Sequence, residues 1–313
     1  MPPSMGTPGL IRAEPVRITL VVNPASGRGR AQRIVPAVVQ ALHRRGIHAE
    51  IVLTHHGDEV RSVVRRERDS GAARVLVCGG DGTLHLAIQE LAWGTTALGI
   101  IPAGTGDDNA RTLGIPRGNP EAAAILAATG DVETIDLGGV RLADGTQRYF
   151  LGVMSTGFDS LVNERANRMR WPHGSARYLV ATLGELRTFR PVPYRAILDG
   201  EDVHAEAMLV AIGNGASYGG GMKICPGADP HDGLLEITWI HGVKTRTFLR
   251  VFPKVFSGGH VTSPYVMTRR VRSAHLDAPG QLAYADGERV GPLPLEVSVE
   301  VEALPVVRGD TPA

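Results

Sequence analysis

Three of the first four apolar runs in this chain end in turns of glycine and small polar residues, and each turn passes into a helical pattern. Arg17 to Val22 leads into the turn Asn23 to Gly29 and then helical spacing from Ala31 to Arg45. His48 to Leu53 precedes a helix around Glu59 to Arg68. Arg74 to Cys78 closes in Gly79 to Thr83, before a helix from Leu84 to Ala92. Ala97 to Ile101 closes in Pro102 to Gly106, before a helix from about Asp107 to Leu113. Strands alternating with helices predict a parallel sheet covered on both faces. In such a sheet the ligand lies beyond the carboxyl ends of the strands, where these turns converge.

The turn tips read Asn23-Pro24-Ala25-Ser26-Gly27, Gly79-Gly80-Asp81-Gly82-Thr83 and Gly104-Thr105-Gly106. Glycine reaches backbone dihedrals closed to other residues and lets a phosphate approach the main chain. A helix starting just afterwards offers free N–H groups and a favourable dipole to an anion. One such turn is an ordinary connection. Three at strand ends, one with a central Asp, predict a nucleotide phosphate site. No Gly-x-x-x-x-Gly-Lys-Ser/Thr run occurs, so the chain is not a P-loop protein. Gly213-Asn214-Gly215 completes no Gly-x-Gly-x-x-Gly and leads into no helical pattern, so a dinucleotide fingerprint is also absent.

With 313 residues there is room for two ordinary domains. Lys plus Arg number 33 against 32 for Asp plus Glu, so net charge gives no pull toward nucleic acid and any basic surface must be local. The only cysteines are Cys78 and Cys225, and Cys78 lies in an apolar run. A disulfide framework is not expected, and a reducing cytoplasm fits. Met1 to Pro15 is rich in Pro and Gly and reads as a loose tail, not a signal peptide. No run of eighteen apolar residues occurs, so no transmembrane helix is expected.

With these residues in place, the chain resembles the diacylglycerol kinase and sphingosine kinase superfamily, in its soluble bacterial branch. Asn23 to Gly27, Gly79 to Thr83 and Gly104 to Asp108 resemble the family's signature turns. Gly219-Gly220-Gly221-Met222, Pro226 and Asp232-Gly233-Leu234 resemble its central motif, and Asp286-Gly287-Glu288 its late acidic motif. The resemblance runs in order from about residue 17 to 305. It implies an α/β nucleotide domain related to the phosphofructokinase fold and a C-terminal antiparallel β-sandwich. The expected organisation is a flexible tail over 1–16, an ATP-binding catalytic domain over 17–140, a lipid-acceptor domain over 141–290, and a segment 291–313 returning to the first domain. Strand-like runs after about Tyr149 agree, including Tyr194 to Leu198, Ala207 to Ile212, Leu234 to Ile240 and Leu295 to Val301. In the last, Leu295, Val297, Val299 and Val301 alternate with polar residues, as for a strand with one buried face. One departure stands out: the family's Asn-Asp-Phe is here Asp107-Asp108-Asn109, so the second acid is kept and the aromatic is lost.

The activity implied is transfer of the γ-phosphoryl group of ATP to a lipid hydroxyl, with diacylglycerol as the usual acceptor of the bacterial relatives. Such chemistry needs held phosphates, a metal neutralising charge, and a group that takes the hydroxyl proton. Asn23, Pro24, Ala25, Ser26 and Gly27 form the first nucleotide turn, and Gly80, Asp81, Gly82 and Thr83 the phosphate loop. Arg28 and Arg30 either add charge there or are solvated. By resemblance alone, Thr54 and Thr105 bind nucleotide. A carboxylate at Asp81 facing phosphates implies Mg²⁺, with help from Asp108; the alternative is an Asp that caps the following helix. By resemblance Glu288 accepts the hydroxyl proton and Asp286 supports it or the metal; a plain Asp-Gly turn is the other reading. Asp229 and Asp232, with the carbonyl of Leu234, match positions that hold a second, structural Mg²⁺ in relatives, and equally suit a solvated turn. The histidines show no metal spacing and are expected at the surface or in packing.

Thr245 to Ser257 places Phe248, Leu249, Phe252, Val255 and Phe256 on one helical face and Arg246, Arg250 and Lys254 on a neighbouring one, with Pro253 interrupting. Either this helix packs on the core with a solvated basic edge, or it meets anionic lipid. Arg165, Arg168, Arg170 and Trp171 form a second basic-aromatic patch with the same two readings. The expected partner is a lipid at the membrane surface, reached by peripheral contact from the cytoplasmic side, with no nucleic acid. Monomer or homodimer is left open. The rival readings are an NAD kinase-type enzyme, which shares the Gly-Gly-Asp-Gly turn, and a nucleotide- or lipid-binding protein without catalysis.

Overall fold

The computed structural model describes residues 17–158, 162, 165, 169 and 190–309. The leading segment 1–16 lies outside them, as do Arg168, Arg170 and Trp171 of the second basic-aromatic patch.

The first four apolar runs are strands: β1 (Arg17–Val22), β2 (His48–Leu53), β3 (Arg74–Gly79) and β4 (Ala97–Pro102). They pair in parallel in the order β2-β1-β3-β4. β3 and β4 read as continuous apolar runs because helices cover both faces. Helices α1 (Ser26–Arg44) and α5 (Pro120–Thr129) pack Val38, Leu42, Ala124 and Ala127 on one side. Helices α2 (Gly57–Asp69) and α3 (Asp81–Leu91) pack Val60, Val64, Leu84 and Ile88 on the other. Strand order reverses between β1 and β3, which opens the crevice expected at their carboxyl ends. The short helix α4 (Asp108–Thr112) follows β4 there. The sequence reading did not pick out α5, although Asn119 caps it by accepting from Ala122 N–H at 3.0 Å and Pro120 occupies its first position.

The second half is antiparallel: β5 (Val132–Leu142), β6 (Gln147–Phe150), β7 (Val153–Gly157), β8 (Val192–Leu198), β9 (Glu201–Gly213), β10 (Leu235–His241), β11 (Val266–Val271), β12 (Ser273–Asp277), β13 (Leu282–Ala285), β14 (Glu288–Pro292) and β15 (Leu295–Val307). β15 joins the two halves. It pairs antiparallel with β5 and β12, and its Val306 stands opposite Leu98 of β4 in parallel register. The alternation predicted through Val301 holds only at its start. Leu295 and Val297 are buried, but Val301 is 51% exposed. A register shift between Glu300 and Leu304 with Glu302 at φ 51° re-aims the strand, so that Leu304 and Val306 enter the core of the first half. Buried Asp136 pins this bulge, accepting from Glu302 N–H and Gly233 N–H, both at 2.8 Å.

Gln89 of α3 ties the halves together at a second point. Its amide donates to the Tyr149 carbonyl (2.7 Å) and accepts from the Tyr149 N–H (2.9 Å). Gln89→Leu leaves both main-chain groups without that partner, and should destabilise the fold by about 2 kcal/mol in urea unfolding.

The stretch 245–257 does not form one amphipathic helix. Helix α6 (Thr245–Val251) gives way at Pro253 to a 3₁₀ turn (Phe252–Ser257). Phe248 and Val255 are fully buried, and Phe248 stacks on Phe252 at 5.1 Å and meets Phe158 edge-on at 5.1 Å. Leu249 and Phe256 remain outside.

Candidate active site

The carboxyl ends of β1, β3 and β4 come together through their turns. Asn23 Nδ2 donates to Thr83 Oγ1 at 3.1 Å, and Ser26 Oγ lies 3.3 Å from the same hydroxyl. The first helix does not start regularly: Gly27, Arg28 and Gly29 have φ of 57°, 59° and 79°. Gly27 is pressed against the Ala103 carbonyl, so a side chain there would collide with backbone. The second and third turns touch through their glycines, since a Cβ on Gly104 would stand 2.7 Å from Gly80 Cα. Arg30 lies 3.9 Å from Asp107 and donates to the Arg117 carbonyl at 3.1 Å, while Arg28 is in the left-handed stretch.

Asp81 does not cap its own helix, whose N-cap is Gly80 with no side-chain cap bond. Its carboxylate instead accepts from the N–H groups of Asp108 (3.3 Å) and Asn109 (3.1 Å), at the start of α4. Burial pushes its carboxyl up to about 7, against the pull of the Asn109 N–H and with the like charges of Asp108 and Asp286 adding to the rise. Asp108 accepts from Gly220 N–H at 2.6 Å and is ion-paired to Arg111. Asp286, with φ 52°, is held on both oxygens by Leu151 N–H (3.0 Å) and Gly152 N–H (2.9 Å). His85 Nδ1 lies 3.7 Å from it. Glu288 opens β14 and reaches across to the first half, where its Oε1 is 2.5 Å from where a Cβ on Gly82 would be. Acids from both halves of the chain thus meet at the phosphate loop.

Beside the loop lies a cleft of about 280 Å³ lined by Asn23, Ser26, Gly80, Gly82, Thr83, His55, His56 and, of the four acids, Glu288. The two histidines are exposed, as expected of most histidines here, but no cleft was foreseen beside them. They line the cleft because β2 ends beside β1, a parallel pairing that no local pattern encodes. Thr54 is not among the lining residues. It is buried, with its hydroxyl donating to the Val22 carbonyl at 3.1 Å, while Thr105 is exposed. Pro24 and Ala25 complete the first turn, and Ala25 N–H donates to Asn23 Oδ1 at 3.1 Å. Sequence reasoning gave no role to Arg111, which an i, i+3 spacing from Asp108 on a helix would have suggested.

The residues at this site fit a magnesium ion. Asp81 and Asp108 flank Gly106, since a Cβ there would be 3.3 Å from Asp81 Oδ2 and 3.2 Å from Asp108 Oδ2. One or two carboxylates, completed by water and substrate phosphates, are the usual donors for Mg²⁺. Among the described residues no group of three or more His, Cys, Asp or Glu converges as a metal cage. The residues expected at a second metal have protein partners of their own. Asp229 pairs with His231 at 3.0 Å, Asp232 is ion-paired to Arg270, and the Leu234 N–H donates to Asp232 at 2.9 Å.

Gly82→Ala should push the exposed Glu288 carboxylate aside at little cost to stability. Turnover should fall about tenfold with the melting temperature unchanged, as kinetics and calorimetry on the variant would show.

Comparison with known proteins gives two family matches. Residues 17–140 match the diacylglycerol kinase catalytic domain, and residues 152–308 the YegS C-terminal NAD kinase beta sandwich-like domain. The chain is 44% identical over 300 residues to a diacylglycerol kinase of Mycobacterium tuberculosis, covering 96% of this chain and 97% of that protein. It is 32% identical over 206 residues to the lipid kinase YegS of Escherichia coli K12, covering 64% of this chain and 67% of that one. A crystal structure of a Bacillus anthracis diacylglycerol kinase shares the fold, with TM-score 0.71 at 20% identity over 95% of this chain and 98% of that one. An α/β half and an antiparallel half that match these two domain families, and 44% identity across nearly the whole chain, place it in the diacylglycerol kinase and YegS family of lipid kinases.

Proposed function

We propose that this chain transfers the γ-phosphoryl group of ATP to the free hydroxyl of diacylglycerol, giving phosphatidate and ADP at the cytoplasmic face of a membrane. The observation that carries this reading is the approach of Glu288, from the antiparallel half, to Gly82 in the phosphate loop. The M. tuberculosis relative, matched over nearly its whole length, is named for diacylglycerol, which supports that acceptor over other lipid alcohols.

The reaction needs an acceptor hydroxyl in line with the γ-phosphorus and a carboxylate to take its proton. Glu288 takes that proton. The hydroxyl oxygen bonds to the γ-phosphorus as the bond to the β–γ bridging oxygen breaks, and ADP leaves. Asn23, Ser26 and Thr83 form a hydroxyl and amide cluster where the nucleotide phosphates sit, and the N–H groups of the glycine turns complete it. Asp286, fixed by two main-chain donors, keeps the Asp-Gly-Glu turn in place. Asp81 and Asp108 would hold Mg²⁺, which when bound neutralises charge on the phosphates.

The test is transfer of labelled γ-phosphate from ATP, with Mg²⁺, to diacylglycerol, sphingosine, ceramide, undecaprenol and NAD in mixed micelles. Label in phosphatidate supports the proposal. Label in another lipid keeps the kinase and replaces the acceptor, and label in NAD or in nothing overturns the reading.

A further inference from the structure

Phe256 lies seven positions after Leu249, and these two large apolar side chains are left 60% and 48% exposed on one side of the α6 and 3₁₀ segment. Pro253, also exposed, lies between them, four residues after one and three before the other. Those spacings keep all three on one face as the helix tightens from 3.6 to 3.0 residues per turn. Arg246, Arg250 and Lys254 lie on a neighbouring face and Lys244 just precedes the helix, all exposed, and none carries an ion pair among the described residues. Elsewhere in this chain exposed arginines do find acids, as Arg269 does with Glu201 at 2.7 Å and Arg195 with Asp202 at 3.3 Å. The platform beneath is firm, because Phe248 and Val255 point inward and are fully buried.

This platform is also continuous with the active site. The Lys223 N–H donates to the Val255 carbonyl at 2.9 Å, and Pro226 packs 3.2 Å from a Cβ built on Gly258. The loop just before Lys223 carries Gly220, whose N–H donates to Asp108 at 2.6 Å. A surface engaged at Phe256 is therefore two short segments from the acids that face the phosphate loop.

We propose that this face docks on an anionic lipid bilayer, with Leu249 and Phe256 entering the acyl boundary and Arg246, Arg250, Lys244 and Lys254 meeting lipid phosphates. The inference rests on the lipid-kinase reading above and names the surface by which that site reaches its substrate. Unpaired cations around an apolar centre are complementary to an anionic interface. A polyanion such as nucleic acid would satisfy the cations but leave Leu249 and Phe256 in water. No described helix is long and apolar enough to cross a membrane.

Flotation of the full chain with neutral phosphatidylcholine vesicles and with vesicles containing phosphatidylglycerol tests this. Wild type should bind the anionic vesicles at least tenfold better and lose binding as salt rises. Arg246→Gln with Arg250→Gln should weaken binding about 25-fold, roughly fivefold per cation removed. Leu249→Asn with Phe256→Asn should weaken it by at least tenfold. All four positions are exposed, so melting temperatures should match wild type. Each double variant should also lower the ratio of turnover on vesicle-borne diacylglycerol to turnover on a short-chain diacylglycerol free in solution. Equal binding to neutral vesicles, or variants that float as wild type does, would overturn the docking surface while leaving short-chain turnover to support the kinase reading. Absence of phosphorylation of the short-chain acceptor would instead sink the kinase reading on which the surface rests.

Discussion

Asp81→Asn is expected to lower turnover by roughly 10²-fold or more and, in the nucleotide-free protein at pH 8, to raise the melting temperature. The first effect follows from removing a charge poised at the phosphate loop. The second follows from burial. A carboxyl lifted from 3.8 to about 7 by its surroundings carries a folding penalty on the order of 4 kcal/mol once ionised. The folded protein binds that proton more tightly than the unfolded chain, so stability falls as pH rises from about 4 to about 7 and is level above. Asn carries no such charge but keeps only one of the two hydrogen bonds from Asp108 and Asn109, so the net gain should be about 1–2 kcal/mol. That gain should be complete above pH 7 and absent near pH 4. Mg²⁺ should stabilise wild type more than the variant. Melting curves across pH, with and without Mg²⁺, check each part; a variant less stable than wild type at pH 8 would refute the account of Asp81 as a strained, cation-seeking acid.

Glu288→Gln should produce a loss of similar size for a different reason. Glu288 is exposed, and the role proposed for it is to take a proton, which the amide does not do. Turnover should fall roughly 10²-fold or more. Nucleotide affinity and melting temperature should stay within the small range usual for surface substitutions, about 0.5 kcal/mol. Binding of ATP by calorimetry separates the two: a variant that loses nucleotide affinity along with turnover would make Glu288 a binding residue. The contrast with Asp81→Asn is the diagnostic feature, since one acid is partly buried with its carboxyl pushed up by desolvation and the other is exposed.

Much of the fold was legible because its signals are local. β1 and β2 fall on the predicted residues, and β3 and β4 extend one residue beyond; β3 and β4 were readable as apolar runs closed by glycine or proline, the mark of a strand covered on both faces, whereas β2 is an exposed edge strand. The glycine turns were readable for the same reason. What was not legible depends on distant pairings. Nothing near Asp286 announces that Leu151 and Gly152 hold its carboxylate, because that contact spans more than 130 residues. His55 and His56 carry no cleft signal of their own; they line it because β2 ends beside β1. The apolar residues of 245–257 split between two faces, Phe248 and Val255 inward and Leu249 and Phe256 outward, and the change of helical pitch at Pro253 was not legible from spacing alone. The bulge at Glu302 was invisible because its cause, Asp136, lies on another strand.

The most direct test of the central claim, that acids from the two halves act together in phosphoryl transfer to a lipid, is a four-protein assay. Labelled phosphate transfer from ATP to diacylglycerol would be measured for wild type, Asp81→Asn, Glu288→Gln and the double variant. The account predicts labelled phosphatidate from wild type and a loss of roughly 10²-fold or more in each single variant. The double variant should lose far less than the product of the two, as for residues that work as one unit. Wild type that labels no lipid, or single variants that retain near wild-type turnover, would contradict it.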